Sequence, residues 1–159
     1  MTTPAPEPAA RPGSPRWVRV VLALGALSTT LSILVLGWLT VSFQLFGESP
    51  SRGDHLEAAG LYDAGAVLMV VASLAVWISG APRWLAWWCW ISAGLFALLS
   101  LGAHQSSGDP DLDPATSSET WSGGVTTALS MPWIWLVPLA LVAALVTRFR
   151  APRVSEVSA

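Results

Sequence analysis

Four apolar stretches dominate this chain, and each reaches the roughly 20 residues that a helix needs to cross the roughly 30 Å hydrocarbon layer of a bilayer. They run from about Trp17 to Phe46, Leu56 to Ser79, Trp84 to Ala103 and Ala128 to Thr147. Lipid offers backbone N–H and C=O groups no water, so each stretch must satisfy its own by forming a helix. The fold expected is all-α: an integral membrane four-helix bundle with antiparallel up-down topology. Composition agrees, since 53% of the 159 residues are apolar and 11% charged, against roughly 25% charged in a soluble domain. The first stretch is far longer than the 7 to 15 residues of a signal-peptide core and has no small-residue cleavage site before Gln44, so it reads as a retained anchor.

The flanks have a different character. Residues 1–16 hold Pro4, Pro6, Pro8, Pro12 and Pro15 without apolar periodicity and are expected to be a disordered tail. Residues 17–148 form the membrane domain, and 149–159 a short second tail. Gly80, Pro82 and Arg83 make a tight turn that folds the second and third helices into a hairpin.

Charge sorts by side. Arg11, Arg16, Arg19, Arg83, Arg148, Arg150 and Arg153 lie in the tails and the second connection with only Glu7 and Glu156, a net +5. The other two connections and their helix ends carry Glu48, Asp54, Glu57, Asp63, Asp109, Asp111, Asp113 and Glu119 against Arg52, a net −7, giving the chain its −2. Arginine-rich short segments stay in the cytoplasm, so both termini and the Gly80 turn are expected inside and the protein in the plasma (inner) membrane. Trp17, Trp77, Trp84, Trp87 and Trp88 then fall at inner ends and Trp38, Trp121, Trp133 and Trp135 near outer ones, as interfacial aromatics should.

Helices associate in lipid through close approach over small residues. Ala58, Gly65, Ala72, Ala75 and Ser79 form one such stripe, and Ala86, Cys89, Ala93, Ala97 and Ser100 another. Their seven-residue spacing predicts that they face each other across the hairpin. In the fourth span, Pro132 suits a first-turn position with Ser130 as cap, and Pro138 is expected to kink the helix.

Few residues carry chemistry. Asp63 is an ionisable group inside a span, close to its outer boundary, and so a candidate for handling protons or cations. His55 and His104 sit at neighbouring outer helix ends, where with Glu57 and Asp63 they form a candidate outer-face cluster for pH sensing or metal binding. The plainer readings are a structural or interfacial Asp63 and solvated interfacial histidines. Asp109, Asp111 and Asp113 imitate the start of a calcium loop, but Pro114 occupies the glycine position and Thr120 the place of the bidentate glutamate. Trp84, Trp87 and Trp88 share one helix face and suit an interfacial belt, or a cradle for a quinone or lipid head group. With one cysteine, no lysine and no basic run, the chain offers neither a disulfide framework nor a nucleic-acid footprint. There is no phosphate loop, zinc-protease motif or catalytic triad, so no cofactor is expected.

A four-span chain lacking lysine and rich in Ala, Arg and Trp resembles small membrane proteins of bacteria with GC-rich genomes, in topology and composition alone. The leading expectation is a non-enzymatic structural or interaction protein whose partners are the lipid bilayer, other membrane proteins or itself. The alternative is a small transporter or an ion- or pH-responsive protein using His55, Glu57, Asp63 and His104.

Overall fold

The computed structural model describes residues 14–42, 49–114 and 120–150. The two expected tails therefore lie almost wholly outside the described residues, as does the end of the first span at Phe46. Every described element is helical: α1 (Arg16–Val41), α2 (Arg52–Ser79), α3 (Arg83–Ser107), α4 (Trp121–Ser130) and α5 (Leu136–Arg150), the last preceded by a 3-10 turn at Pro132–Trp135. Four of these segments are long and apolar enough to cross a membrane: α1, α2, α3 and Pro132–Phe149. Their outward faces fit that setting, since Trp77 is 75% exposed, Leu98 69% and Phe149 82%, where a soluble monomer keeps its apolar patches small.

The second and third helices outrun their expected limits. α2 starts one turn before Leu56 because Ser51 and Asp54 form a capping box: the Asp54 amide donates to Ser51 Oγ at 3.1 Å and the Ser51 amide to Asp54 Oδ2 at 2.8 Å. With 28 residues, α2 is about 42 Å long and exceeds the hydrocarbon layer by about 12 Å. It ends at Gly80, whose φ of 65° is the left-handed cap that suits glycine, and α3 then doubles back along it.

The fourth segment differs most from expectation. Residues 121–130 form a separate ten-residue helix, about 15 Å long and too short to span. Ser130 closes that helix and does not cap the next one; its hydroxyl donates to the Thr127 carbonyl. Met131 is the N-cap of the 3-10 turn, which opens with Pro132 and offers no side-chain cap. Pro138 lies at the third residue of α5, so its missing N–H falls beside the 3-10 turn and the irregularity sits there rather than midway through a span.

α2 is central, packing on α1, α3, α4 and α5. Its expected stripe is buried throughout: Ala58, Gly65, Ala72, Ala75 and Ser79. On α3 the buried line is Leu85, Cys89, Ser92, Ala93, Phe96, Ser100 and Ala103. Ala97 is exposed, contrary to the expected stripe, and Ala86 only half-buried. A large ring thus replaces a small residue in the seam, and Gly65 makes room for it: a Cβ there would lie 3.0 Å from the Phe96 ring and 2.9 Å from Ile33. Cys89 is fully buried among these residues as an apolar packer.

Candidate functional site

Asp63, the acid placed furthest inside a span, sits at a junction of three helices. Asp63 lies on α2 sixteen residues before Ser79, hence about 24 Å along the axis. Ser100 and His104, one turn apart on α3, present the same face toward it. Trp121, the first residue of α4, approaches from the other side. Ser100 Oγ donates to Asp63 Oδ1 at 2.6 Å, and the Trp121 indole donates to Oδ2 at 2.9 Å. His104 Nε2 stands 3.6 Å from Oδ2, an ion pair whenever the imidazole is protonated. Each oxygen of one carboxylate is thereby bound to a different helix, by hydrogen bonds to an ionised acceptor, the stronger kind. With 38% of its side chain exposed, Asp63 also reaches the surroundings, and its unused lone pairs can accept water or a cation.

Trp121 is in place because α4 is pressed onto the first turns of α2. Thr120 caps α4, its hydroxyl accepting from the Gly123 amide at 3.1 Å. Gly60 and Gly124 form the crossing: a Cβ on Gly60 would collide with the Trp121 carbonyl, and one on Gly124 with the Glu57 carbonyl. Sequence reasoning placed Trp121 in a connection as an interfacial ring and missed this role. The signal was a capping threonine before an apolar pattern at Trp121, Val125 and Ala128.

The four residues of the candidate outer-face cluster are distributed unequally. Asp63 and His104 meet. Glu57 turns instead to α4, accepting from Thr127 Oγ1 at 3.4 Å, and His55 occupies the first turn of α2 with its amide on the Ser51 carbonyl. Among the described residues, no three His, Cys, Asp or Glu side chains stand close enough to share a metal ion. The acidic connection folds over the start of α2, where the Arg52 amide donates to the Asp113 carbonyl at 3.0 Å and its guanidinium to the Asp109 carbonyl at 3.1 Å. Within it the Asp111 amide donates to Asp109 Oδ1 at 3.0 Å, an Asx turn, while Thr120 serves as the α4 cap.

The tryptophans of α3 divide similarly. Trp87 is 68% exposed. Trp88, 40% exposed, directs its indole N–H to Thr30 Oγ1 at 3.2 Å, tying α3 to α1. Thr30 in turn reaches the Ala26 carbonyl at 2.9 Å and Ser92 Oγ at 3.4 Å. No family model, curated protein or solved structure matches this chain.

Proposed function

We propose that this is a non-enzymatic, multi-pass protein of the plasma membrane, a four-helix bundle with both termini in the cytoplasm that acts by interaction with lipid, with other membrane proteins or with itself. The observation that carries the reading is the Asp63 clasp. The polar constellation reached by an intramembrane charge joins α2 to α3 and α4, and the donors at 2.6 and 2.9 Å occupy both carboxylate oxygens. Such an arrangement serves to hold helices in register more directly than to pass a substrate. The net +5 of the arginine-bearing segments against −7 for the others supports the orientation.

A second reading is favoured by one contact. His104, 45% exposed and 3.6 Å from Asp63, sets an imidazole beside a carboxylate within reach of the surroundings. It supports an ion- or pH-responsive protein, or a small transporter, with the pair at an outer vestibule.

Purified protein in vesicles loaded with a pH-sensitive dye separates the two. The leading reading expects no proton or cation flux above that of empty vesicles under an imposed gradient. Flux that disappears in Asp63→Asn overturns it in favour of the second. Orientation is tested by a reporter active only in the cytoplasm, fused to the C-terminus; an inactive fusion reverses the assignment.

A further inference from the structure

At the end of the molecule opposite Asp63, the first turns of α1 and α3 border an open groove of about 340 Å³. The wall is almost wholly apolar, made by Val20, Ala23 and the carbon stems of Arg16 and Arg19 on one side and by Pro82, Trp84 and Leu85 on the other, so the arginines meet the groove with their methylene groups rather than their guanidinium nitrogens. The two guanidinium groups have no carboxylate partner among the described residues, and Arg19 Nε is buried without a hydrogen bond. No acid of the described residues belongs to this end; Asp54, Glu57, Asp63, Asp109, Asp111 and Asp113 all lie toward the other. The backbone at the groove itself is N-terminal, although α2 ends nearby at Gly80. α1 and α3 both begin here, after Pro15 and Pro82, and neither has a side-chain cap for its free N–H groups, whereas α2 and α4 are both capped.

We infer that this groove holds an anionic phospholipid of the surrounding bilayer, its phosphate against Arg16 and Arg19 and its first methylene groups along Val20, Ala23 and Leu85. Charge complementarity names the occupant. Paired cations at a helix end above an apolar wall match an amphiphile with an anionic head, and basic recesses between membrane helices are a recognised way of holding such lipids. Arginine suits the phosphate through its planar array of donors. A free phosphate ion uses the arginines but leaves the apolar wall empty, and a zwitterionic lipid brings its own cation to compete with them. Trp84, 55% exposed at the lip, lies at the depth where an indole ring meets head groups.

The test uses the full chain purified in a mild non-ionic detergent. Its melting temperature is followed while phosphatidylglycerol, phosphatidylcholine or inorganic phosphate is added, and native mass spectrometry counts the lipid retained. Phosphatidylglycerol is expected to raise the melting temperature and to stay bound, and the other two are not. Apparent lipid affinity should fall about fivefold in Arg16→Gln or Arg19→Gln and about 30-fold in the double variant. Arg148→Gln, an exposed arginine outside the groove, should leave it unchanged. Because Arg16 is itself exposed, its single variant remains informative if the double variant does not fold. Equal stabilisation by phosphatidylcholine, equal stabilisation by inorganic phosphate, or an affinity that ignores both arginines overturns the assignment. Indifference to all three additions does so too, and marks a groove filled by the chain itself or by a second copy.

Discussion

Gly60 and Gly124 let α2 and α4 meet backbone to backbone, since a Cβ on either would strike a carbonyl of the opposite helix, at Trp121 and Glu57 respectively. Neither obstacle is a flexible side-chain tip that can swing away. Gly60→Ala or Gly124→Ala should therefore push α4 off α2 and cost about 1–3 kcal/mol, the usual range for overpacking. Gly94 and Gly102, beside which a Cβ meets nothing within 4 Å, are the controls: alanine there should be neutral or stabilising by up to about 1 kcal/mol. Unfolding of the four variants in mixed detergent micelles gives the comparison, and equal losses at all four positions would contradict the crossing.

The clasp at Asp63 makes a separable claim. Ser100→Ala and Trp121→Phe each remove one donor and should each destabilise by roughly 0.6–1.7 kcal/mol, as interhelical hydrogen bonds in membrane proteins do. In an Asp63→Ala background neither donor has its acceptor, so both substitutions should become nearly silent. That double-mutant cycle distinguishes a clasp from simple packing at the same sites, because packing losses would persist without the carboxylate.

The seam between α2 and α3 separates positions that the seven-residue pattern treats alike. Ala72 is fully buried and Ala93 7% exposed, whereas Ala97 faces outward. Ala72→Leu and Ala93→Leu should each lower stability by about 1–3 kcal/mol, and Ala97→Leu should be tolerated. Melting of the three variants in detergent settles the register, and a severe Ala97→Leu defect would mean that the stripe faces as the spacing alone suggests.

These differences show what was legible in the chain. Long apolar runs disclosed the four helices long and apolar enough to span a membrane, because lipid imposes helix formation whatever the local preferences. The α2 stripe was legible because its small residues repeat on one face. On α3 the same rule gave Ala97 where Phe96 is buried, since small-residue spacing cannot register a partner glycine, Gly65, that admits a ring. The end of α2 nearest Asp63 was set by Ser51 and Asp54, a cap hidden among charges assigned to a connection. α4 was missed because ten residues with only modest apolarity have no reason to be helical alone; they become so through Thr120 and the contact with Gly60. Asp63 and His104 could be named from their positions, but Ser100 was known only as a packer and Trp121 only as a belt residue, because a hydrogen bond between distant segments leaves no local pattern.

A last prediction concerns the link between α1 and α3, which otherwise make little contact. The Trp88 indole donates to Thr30 at 3.2 Å, and Thr30 is itself 6% exposed and bonded to the Ala26 carbonyl one turn back. In Trp88→Phe the ring volume is largely kept while the donor is lost, so the expected effect is a destabilisation of about 0.6–1.7 kcal/mol. Thr30→Val, nearly the same shape without the hydroxyl, also removes the bonds to the Ala26 carbonyl and Ser92 and should cost more; the double variant should lose less than the sum of the two single losses, since the shared hydrogen bond cannot be removed twice. Denaturation of the single and double variants in micelles measures the coupling. Fully additive losses would show that Trp88 contributes through its apolar surface alone and that α1 is held by α2 and α5.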